Sequence, residues 1–426
     1  MPFRARGQRL RGSNASQVKL HNRSIVIRAL LRHGPLSRHA LAELTGLMPS
    51  TITYAVAQLS AAHLVADVGK DNSVTNSAGG RQPVLVDVRA DGVLALAVHV
   101  AEISLQVGLV NLKGGVECVE TIPLARGTSP SEVVRLTQQL AGRVLAEVER
   151  ARIVGAGIAA VGLVNPATGQ IEYAAYHNWH DVPLAALLAG ELGLPTRLQN
   201  ATRALALAEH WYGAGRGVDD LIAIVVTEGV GAGIIIGGEM YPGWAGMAGE
   251  IGHTVVIEHG PVCACGKRGC LEAVASTQAI ARRAREMADA DGATGLLAGL
   301  AEADAPAIAA RVLAAAGAGQ PAAQAIVGDA LHHLSLAVAN LTVVIDPQLV
   351  IIGGALRPVR DLVVRLIAEA IDEVSLLPAQ RHPQVVYTTL EGDPGLIGAA
   401  TLAFEDFLDH GDMLTAADDG AALDRG

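Results

Sequence analysis

The chain has 426 residues, half of them hydrophobic, which is enough for two or three domains around a large buried core. Net charge is −10 but unevenly spread: residues 1–90 hold 12 Lys and Arg against 4 Asp and Glu, the remainder 20 against 38, so only the head suits a polyanion. No run of about 18 uncharged apolar residues and no apolar leader after Met1 argue for membrane insertion or export, and four cysteines fit a reducing cytoplasm rather than a disulfide framework.

Residues 1–20 read as a basic, flexible arm carrying Arg4, Arg6, Arg9 and Arg11. Helical periodicity starts near Asn22, with Ile25, Ile27, Leu30 and Leu31 on one stripe, and Gly34-Pro35 stops it. Ser37 is a candidate N-cap for a second helix through Leu41 and Leu44. Thr45-Gly46-Leu47 turns the chain, and Pro49 and Ser50 open a third helix through Ile52, Val56 and Leu59. A short strand, a polar loop at 69–80 and a strand from Pro83 to Val88 complete a winged helix-turn-helix over residues 21–90.

The body begins near residue 91. Strands are expected at 93–100 and 105–111, with a hairpin at Lys113-Gly114-Gly115, an amphipathic helix over 129–150 and a Gly-rich apolar strand from Ile153 to Val164. A helix over 203–212, two strands within Leu221–Ile236, Ala-rich helices with an acidic loop near 287–306, and a buried strand at Leu349–Ile352 follow. Residues 406–426 read as an acidic, disordered tail. Glycine turns between buried strands, alternating with helices, give an α/β body.

Cys263-Ala264-Cys265-Gly266-Lys267-Arg268-Gly269-Cys270 places three cysteines within eight residues, and His253 lies ten residues upstream. Three buried free thiols are the bland alternative. One His and three Cys with turn-forming gaps instead make a closed set for tetrahedral Zn2+. With no open position, such a zinc is structural.

Gly249-Glu250-Ile251-Gly252-His253 and Cys263 through Cys270-Leu271-Glu272 resemble the signature of the ROK family of repressors, open reading frames and kinases. Supporting matches are Leu198-Gln199-Asn200, Trp211 to Gly217, Gly229-Val230-Gly231-Ala232-Gly233, Asp346-Pro347 and Ile352-Gly353-Gly354. The resemblance implies an α/β chain in which a winged helix-turn-helix precedes a two-lobed, actin-like/hexokinase-like body over 91–405, with a sugar cleft between the lobes. It implies sugar contacts at Asn200, Glu250, His253 and Glu272. Carboxylates and an amide suit that role because each can engage two hydroxyls.

ROK kinases place a general-base Asp directly after that Asn; here the position is Ala201, and a methyl group accepts no proton. The family's Asp-x-Gly-x-Thr phosphate turn aligns with His99-Val100-Ala101-Glu102-Ile103, which lacks the Asp, Gly and Thr. The resemblance therefore points to a body that binds a sugar without phosphorylating it.

In the head, the expected DNA contacts are Ser37, Arg38, Ser50, Thr51, Thr53 and Tyr54, with Arg81 of Gly79-Gly80-Arg81-Gln82-Pro83 reaching a minor groove from the wing. Arg23, Arg28, Arg32 and Arg38 are phosphate-contact candidates. The sum is a DNA-binding regulator, a repressor of carbohydrate-metabolism genes. It acts as a homodimer or dimer of dimers on a palindromic operator and answers to a small sugar effector. An active sugar kinase with a DNA-binding appendage, and a ligand-independent DNA binder controlled by a protein partner, are the alternatives.

Overall fold

The computed structural model describes residues 15–70, 82–291 and 303–411. The head comprises α1 (Ala15–His33), β1 (Leu36–Ser37), α2 (Arg38–Thr45), α3 (Pro49–Ala61), β2 (Val65–Lys70) and β3 (Val84–Val88). The first lobe follows with β4 (Leu94–Val100), β5 (Ser104–Asn111), β6 (Val116–Pro123), α4 (Pro130–Val144), β7 (Ile153–Ala160), β8 (Leu163–Asn165), β9 (Gln170–Ala174), β10 (Trp179–Val182), α5 (Leu184–Leu192) and β11 (Thr196–Asn200). Helix α6 (Ala201–Tyr212) crosses to the second lobe. That lobe holds β12 (Leu221–Val226), β13 (Val230–Ile236), β14 (Glu239–Met240), α7 (Glu272–Ala275), α8 (Thr277–Asp291), α9 (Ala305–Gly317), α10 (Pro321–Ile345), β15 (Leu349–Gly354), α11 (Arg360–Val374) and β16 (Gln384–Tyr387). Helix α12 (Pro394–His410) returns to the first lobe.

Each lobe is built on a five-stranded mixed sheet, ordered β11-β7-β4-β5-β6 in the first and β14-β13-β12-β15-β16 in the second. Side chains alternate across each strand. In β12, Leu221, Ala223 and Val225 face the core around α6, while Ile222, Ile224 and Val226 face the helices of the second lobe. In β4, small Ala95 and Ala97 face α12, and Leu94, Leu96 and Val98 fill the opposite core. Small residues on that face let α12 lie close against the sheet. A Cβ on Gly157 in β7 would stand 1.7 Å from the Ala399 carbonyl oxygen of α12.

The winged head matches expectation with one addition. β1 joins the wing, giving a three-stranded sheet ordered β1-β3-β2. Buried Val26, Ile27, Leu30, Leu41, Ile52, Val56 and Leu59 form the head's core, which is continuous with Trp211 of α6 and Phe404 and Leu408 of α12.

Several boundaries differ. Helix α1 starts at Ala15, inside the expected arm, and residues 1–14 lie outside the described part. The helix expected over 129–150 stops at Val144. The strand expected from Ile153 to Val164 breaks at Val161-Gly162 into β7 and β8, and β8-β9-β10 form a small separate sheet that the periodicity did not reveal. Helix α12 runs past 405 to His410 because its acidic residues have partners: Asp406 pairs with Arg197 and Asp409 with Arg28 at 2.9 Å. Residues 412–426 of the expected tail, most of the polar loop at 69–80 and residues 292–302 of the expected acidic loop lie outside the described part. Among the described helices, α10 alone is long and apolar enough to cross a membrane, and more than half of that stretch is buried in the second lobe.

Gly157→Val should destabilise the body by on the order of 3 kcal/mol, the upper range for overpacking, because the obstructing atom is backbone. Urea unfolding measures it; an unchanged midpoint would contradict the close approach of α12.

Candidate functional site

Strand β11 ends at Asn200, the N-cap of α6, so the chain turns from sheet to helix at this residue. Its Oδ1 accepts from the backbone N–H groups of Thr202 (3.0 Å) and Arg203 (3.3 Å), and its Nδ2 donates to the Gly162 carbonyl (2.9 Å). One amide hydrogen remains for a ligand. Ala201 is the first helical residue and presents no acid–base group.

The loop after β14 leads into Glu250 and a short turn ending at His253. Glu250 is half-buried. Burial pushes its carboxyl up, and Arg203, 3.4 Å away, opposes that. Arg203 is almost wholly buried on the first turn of α6 and donates to the carbonyls of Ala248 and Gly246. Glu272 opens α7 beside the Gly229-Val230-Gly231-Ala232-Gly233 loop at the start of β13, where it accepts from the Val230 N–H (3.4 Å). The glycines of that loop are demanded by packing: a Cβ on Gly233 would meet Ala206 of α6 at 2.3 Å.

The four predicted metal ligands converge. The ligand atoms of His253, Cys263, Cys265 and Cys270 all lie within 4.8 Å of one another. Cys265 and Cys270 Sγ are 3.8 Å apart, as are Cys263 Sγ and His253 Nδ1. A tetrahedral ion with metal–sulfur bonds of about 2.3 Å requires sulfurs about 3.8 Å apart. Gly269, at φ 74°, brings the two arms of the loop so close that a Cβ would stand 1.8 Å from the Ile257 carbonyl oxygen. Burial pushes the Cys263 and Cys270 thiols up, so a bound cation is what would hold them as thiolates. Cys263 also approaches Glu272 (3.5 Å), tying the metal loop to the cleft.

The end of β4 and the turn into β5 carry His99 to Ile103, the stretch aligned above with the family's phosphate turn. His99 lies against Gly395, hydrogen-bonded to Gln106 (3.0 Å) and 3.5 Å from Asp393. Burial pushes its imidazole down, but pairing with Asp393 outweighs this and leaves it raised. Asp393 itself caps α12 by accepting from the Leu396 N–H (3.1 Å). A helix N-terminus that would attract phosphate is thus filled by a carboxylate. Glu102 is pushed up to about 7 by burial and then by Glu228.

In the head, Ser50, Thr53 and Tyr54 are exposed on α3 and Thr51 is half-exposed, around the buried Ile52, Val56 and Leu59. Thr53 donates to the Pro49 carbonyl, and Tyr54 accepts from Gln58. Ser37 does not face outward with them. It is buried, and its hydroxyl caps α2 by accepting from the Ala40 N–H (3.1 Å). Arg38 pairs with Asp67 (3.2 Å), and Arg81 lies outside the described residues. Two of the proposed phosphate contacts are turned away. Arg28 pairs with Asp409 and sits over the Trp211 ring (5.2 Å), and Arg32 pairs with Asp219 at 2.7 Å. Arg23 is buried and donates to the Lys19 carbonyl. Net charge counts arginines without giving their direction. Lys19, 5.8 Å from the Tyr54 ring centroid, is a cation beside α3 that the sequence did not single out. Asn165 holds the β8–β9 turn by accepting from the Ala167 and Thr168 N–H groups.

Residues 96–406 match the ROK family. The chain belongs to the ROK family. The xylose repressor of Caldicellulosiruptor bescii is 27% identical over 93% of this chain and 98% of its own. A glucokinase from Thermotoga maritima is 34% identical but covers 58% of this chain, with 78% of the enzyme matched. Among solved structures, a ROK family transcriptional regulator described as a homolog of the E. coli MLC protein superposes with TM-score 0.77 and 27% identity over 95% of this chain and 100% of that one. The Streptomyces griseus ROK glucokinase, solved with glucose and AMPPNP, gives 0.65 and 28% over 73% of this chain and 99% of that one. The C. bescii repressor and this regulator structure thus match nearly the whole chain, head included, whereas these two glucokinases match less of it. The sequence-based assignment to this family, with a winged head on a two-lobed body, holds.

Elemental analysis should find about one metal equivalent per chain, and Cys265→Ser should lower it well below that. Full retention would mean the four ligands do not act as one site.

Proposed function

We propose that this ROK protein is a transcriptional repressor of carbohydrate-metabolism genes that senses a sugar and does not phosphorylate it. One observation carries the reading: the DNA-binding head and the helix that lines the cleft share one hydrophobic core. A structural Zn2+, favoured by three thiolates and an imidazole, fixes the loop between His253 and Glu272. Asn200, Glu250, His253 and Glu272 then offer hydroxyl-binding groups, while Ala201 supplies no base. The protein works in the cytoplasm as a homodimer or dimer of dimers. Ser50, Thr51, Thr53 and Tyr54 of α3 meet a palindromic operator, with Arg38 and Arg81 at its flanks. Two heads fit such a site only at a spacing of roughly 34–36 Å or its multiples, so a modest change in lobe closure suffices to unseat one.

Calorimetric titration with a sugar panel beginning with D-xylose and D-glucose tests the reading. Wild-type protein should bind at least one sugar, Glu250→Ala and Glu272→Ala should each weaken it at least tenfold, and no ADP should form from ATP and that sugar. Robust ADP release would establish a kinase with a DNA-binding appendage. Absence of any sugar binding would favour control by a protein partner.

The seam between α1 and the body carries the signal. Arg28→Ala removes the contacts to both Trp211 and Asp409. Sugar affinity should stay within about twofold of wild type, while the ratio of operator affinities with and without sugar shrinks toward one. An unchanged ratio in anisotropy titrations would sink this route.

A further inference from the structure

Arg203 is the largest fully buried side chain among the described residues, at 1% exposure. It lies on the first turn of α6, where its backbone N–H is already held by the Asn200 side chain. All three acceptors that its guanidinium meets come from one stretch of the second lobe: the carbonyls of Gly246 and Ala248, and Glu250 Oε1 at 3.4 Å. A planar fork of donors suits that arrangement, because several N–H groups diverge from one rigid plane. The loop is shaped to match, with Gly246 and Gly249 at φ 73° and 87°. Glu250, about a quarter exposed, thus has one carboxylate oxygen braced by Arg203.

We propose that Arg203 is the positioning residue of the cleft, fixing the Glu250 carboxylate at a set distance from Asn200 so that a sugar meets both at once. The inference rests on the reading that Glu250 binds sugar. It assigns a role to a residue that stands outside every recognised motif of the chain. Arg203 itself does not touch the ligand. Its effect runs through the loop at 246–250, and loss of the fork removes the donor from the Gly246 and Ala248 carbonyls and from one Glu250 oxygen.

Two measurements on full-length protein test it, with D-xylose and D-glucose as probes. First, Arg203→Met should weaken sugar binding at least tenfold, and Arg203→Lys, which keeps the charge but not the fork, should fall between Arg203→Met and wild type. In a Glu250→Gln background, Arg203→Met should cost less than a further threefold, since both changes act on the same contact. Unaltered affinity in Arg203→Met, or a full additive loss in the double variant, overturns the proposal. Second, amide hydrogen exchange at residues 246–250 should accelerate in Arg203→Met and Arg203→Lys, with metal content unchanged. Unchanged exchange there overturns the positioning role. If wild-type protein binds no sugar, the sugar reading fails by itself, and the exchange experiment still decides whether Arg203 sets the loop. If Arg203→Met does not fold, Arg203→Lys carries both measurements.

Discussion

Helix α6 has almost no free surface. Eight of its twelve residues are buried, including the charged Arg203 and Glu209, so whatever touches it is held in register by it. A buried charge is tolerated only where its hydrogen bonds are supplied. Both charges draw them from neighbouring elements. Arg203 takes carbonyls from the loop before the metal site. Glu209 accepts from Thr388 beyond β16 and from the Ala214 N–H. The two ends of one helix therefore fasten two parts of the second lobe, while its side faces α12 of the first. The cleft is defined by how these attachments sit, and the metal loop is anchored to the same frame through Glu250 and Glu272.

The head is attached to this frame by more than a linker. Arg28 stacks on Trp211 near the end of α6, and Arg32 reaches Asp219 just beyond it. These ion pairs are partly exposed and contribute little stability singly. Their value lies in orientation, because the apolar contacts of Leu30 and Leu31 with the α6–α12 core leave the head's rotation to be set by directional groups. About 18 Å of rigid helix, from 12 residues at 1.5 Å each, separates the cleft end from the head end. A shift at Asn200 or Arg203 has little compliant material in which to dissipate before it reaches α1.

How much of this was legible in the sequence depends on whether the information is local. The metal ligands were, because turn glycines and soft side chains sit within a short span and their convergence follows from the spacing. The head was, because its helices are amphipathic and capped by Ser37 and Gly46. What failed was directional or non-local. Arg28 and Arg32 look like any basic residues on a DNA-binding head until α12 and Asp219 are packed against them. Asp406 and Asp409 look like an acidic tail until Arg197 and Arg28 pair with them and extend the helix. Strands β8 to β10 are three to five residues long, too short for a period-two signal to stand out from their turns. Arg203 carries no motif, and only the distant carbonyls of Gly246 and Ala248 mark it.

Both ends of α12 are tied by side chains from elsewhere in the chain. At its N-terminus, Asp393 caps the helix and pairs with His99, so the positive end that suits a phosphate is already neutralised from within. Asp393 is held below its ordinary value: burial works against ionisation, and His99 together with the Leu396 N–H and Gln106 prevails. At its C-terminus, Asp409 receives Arg28 of the head. Helix α12 is thus held at one end by the half-buried His99–Asp393 pair and at the other by the head. In this chain both contacts are present, so a relative motion of the lobes that displaces α6 or α12 is passed directly to the head packed against them.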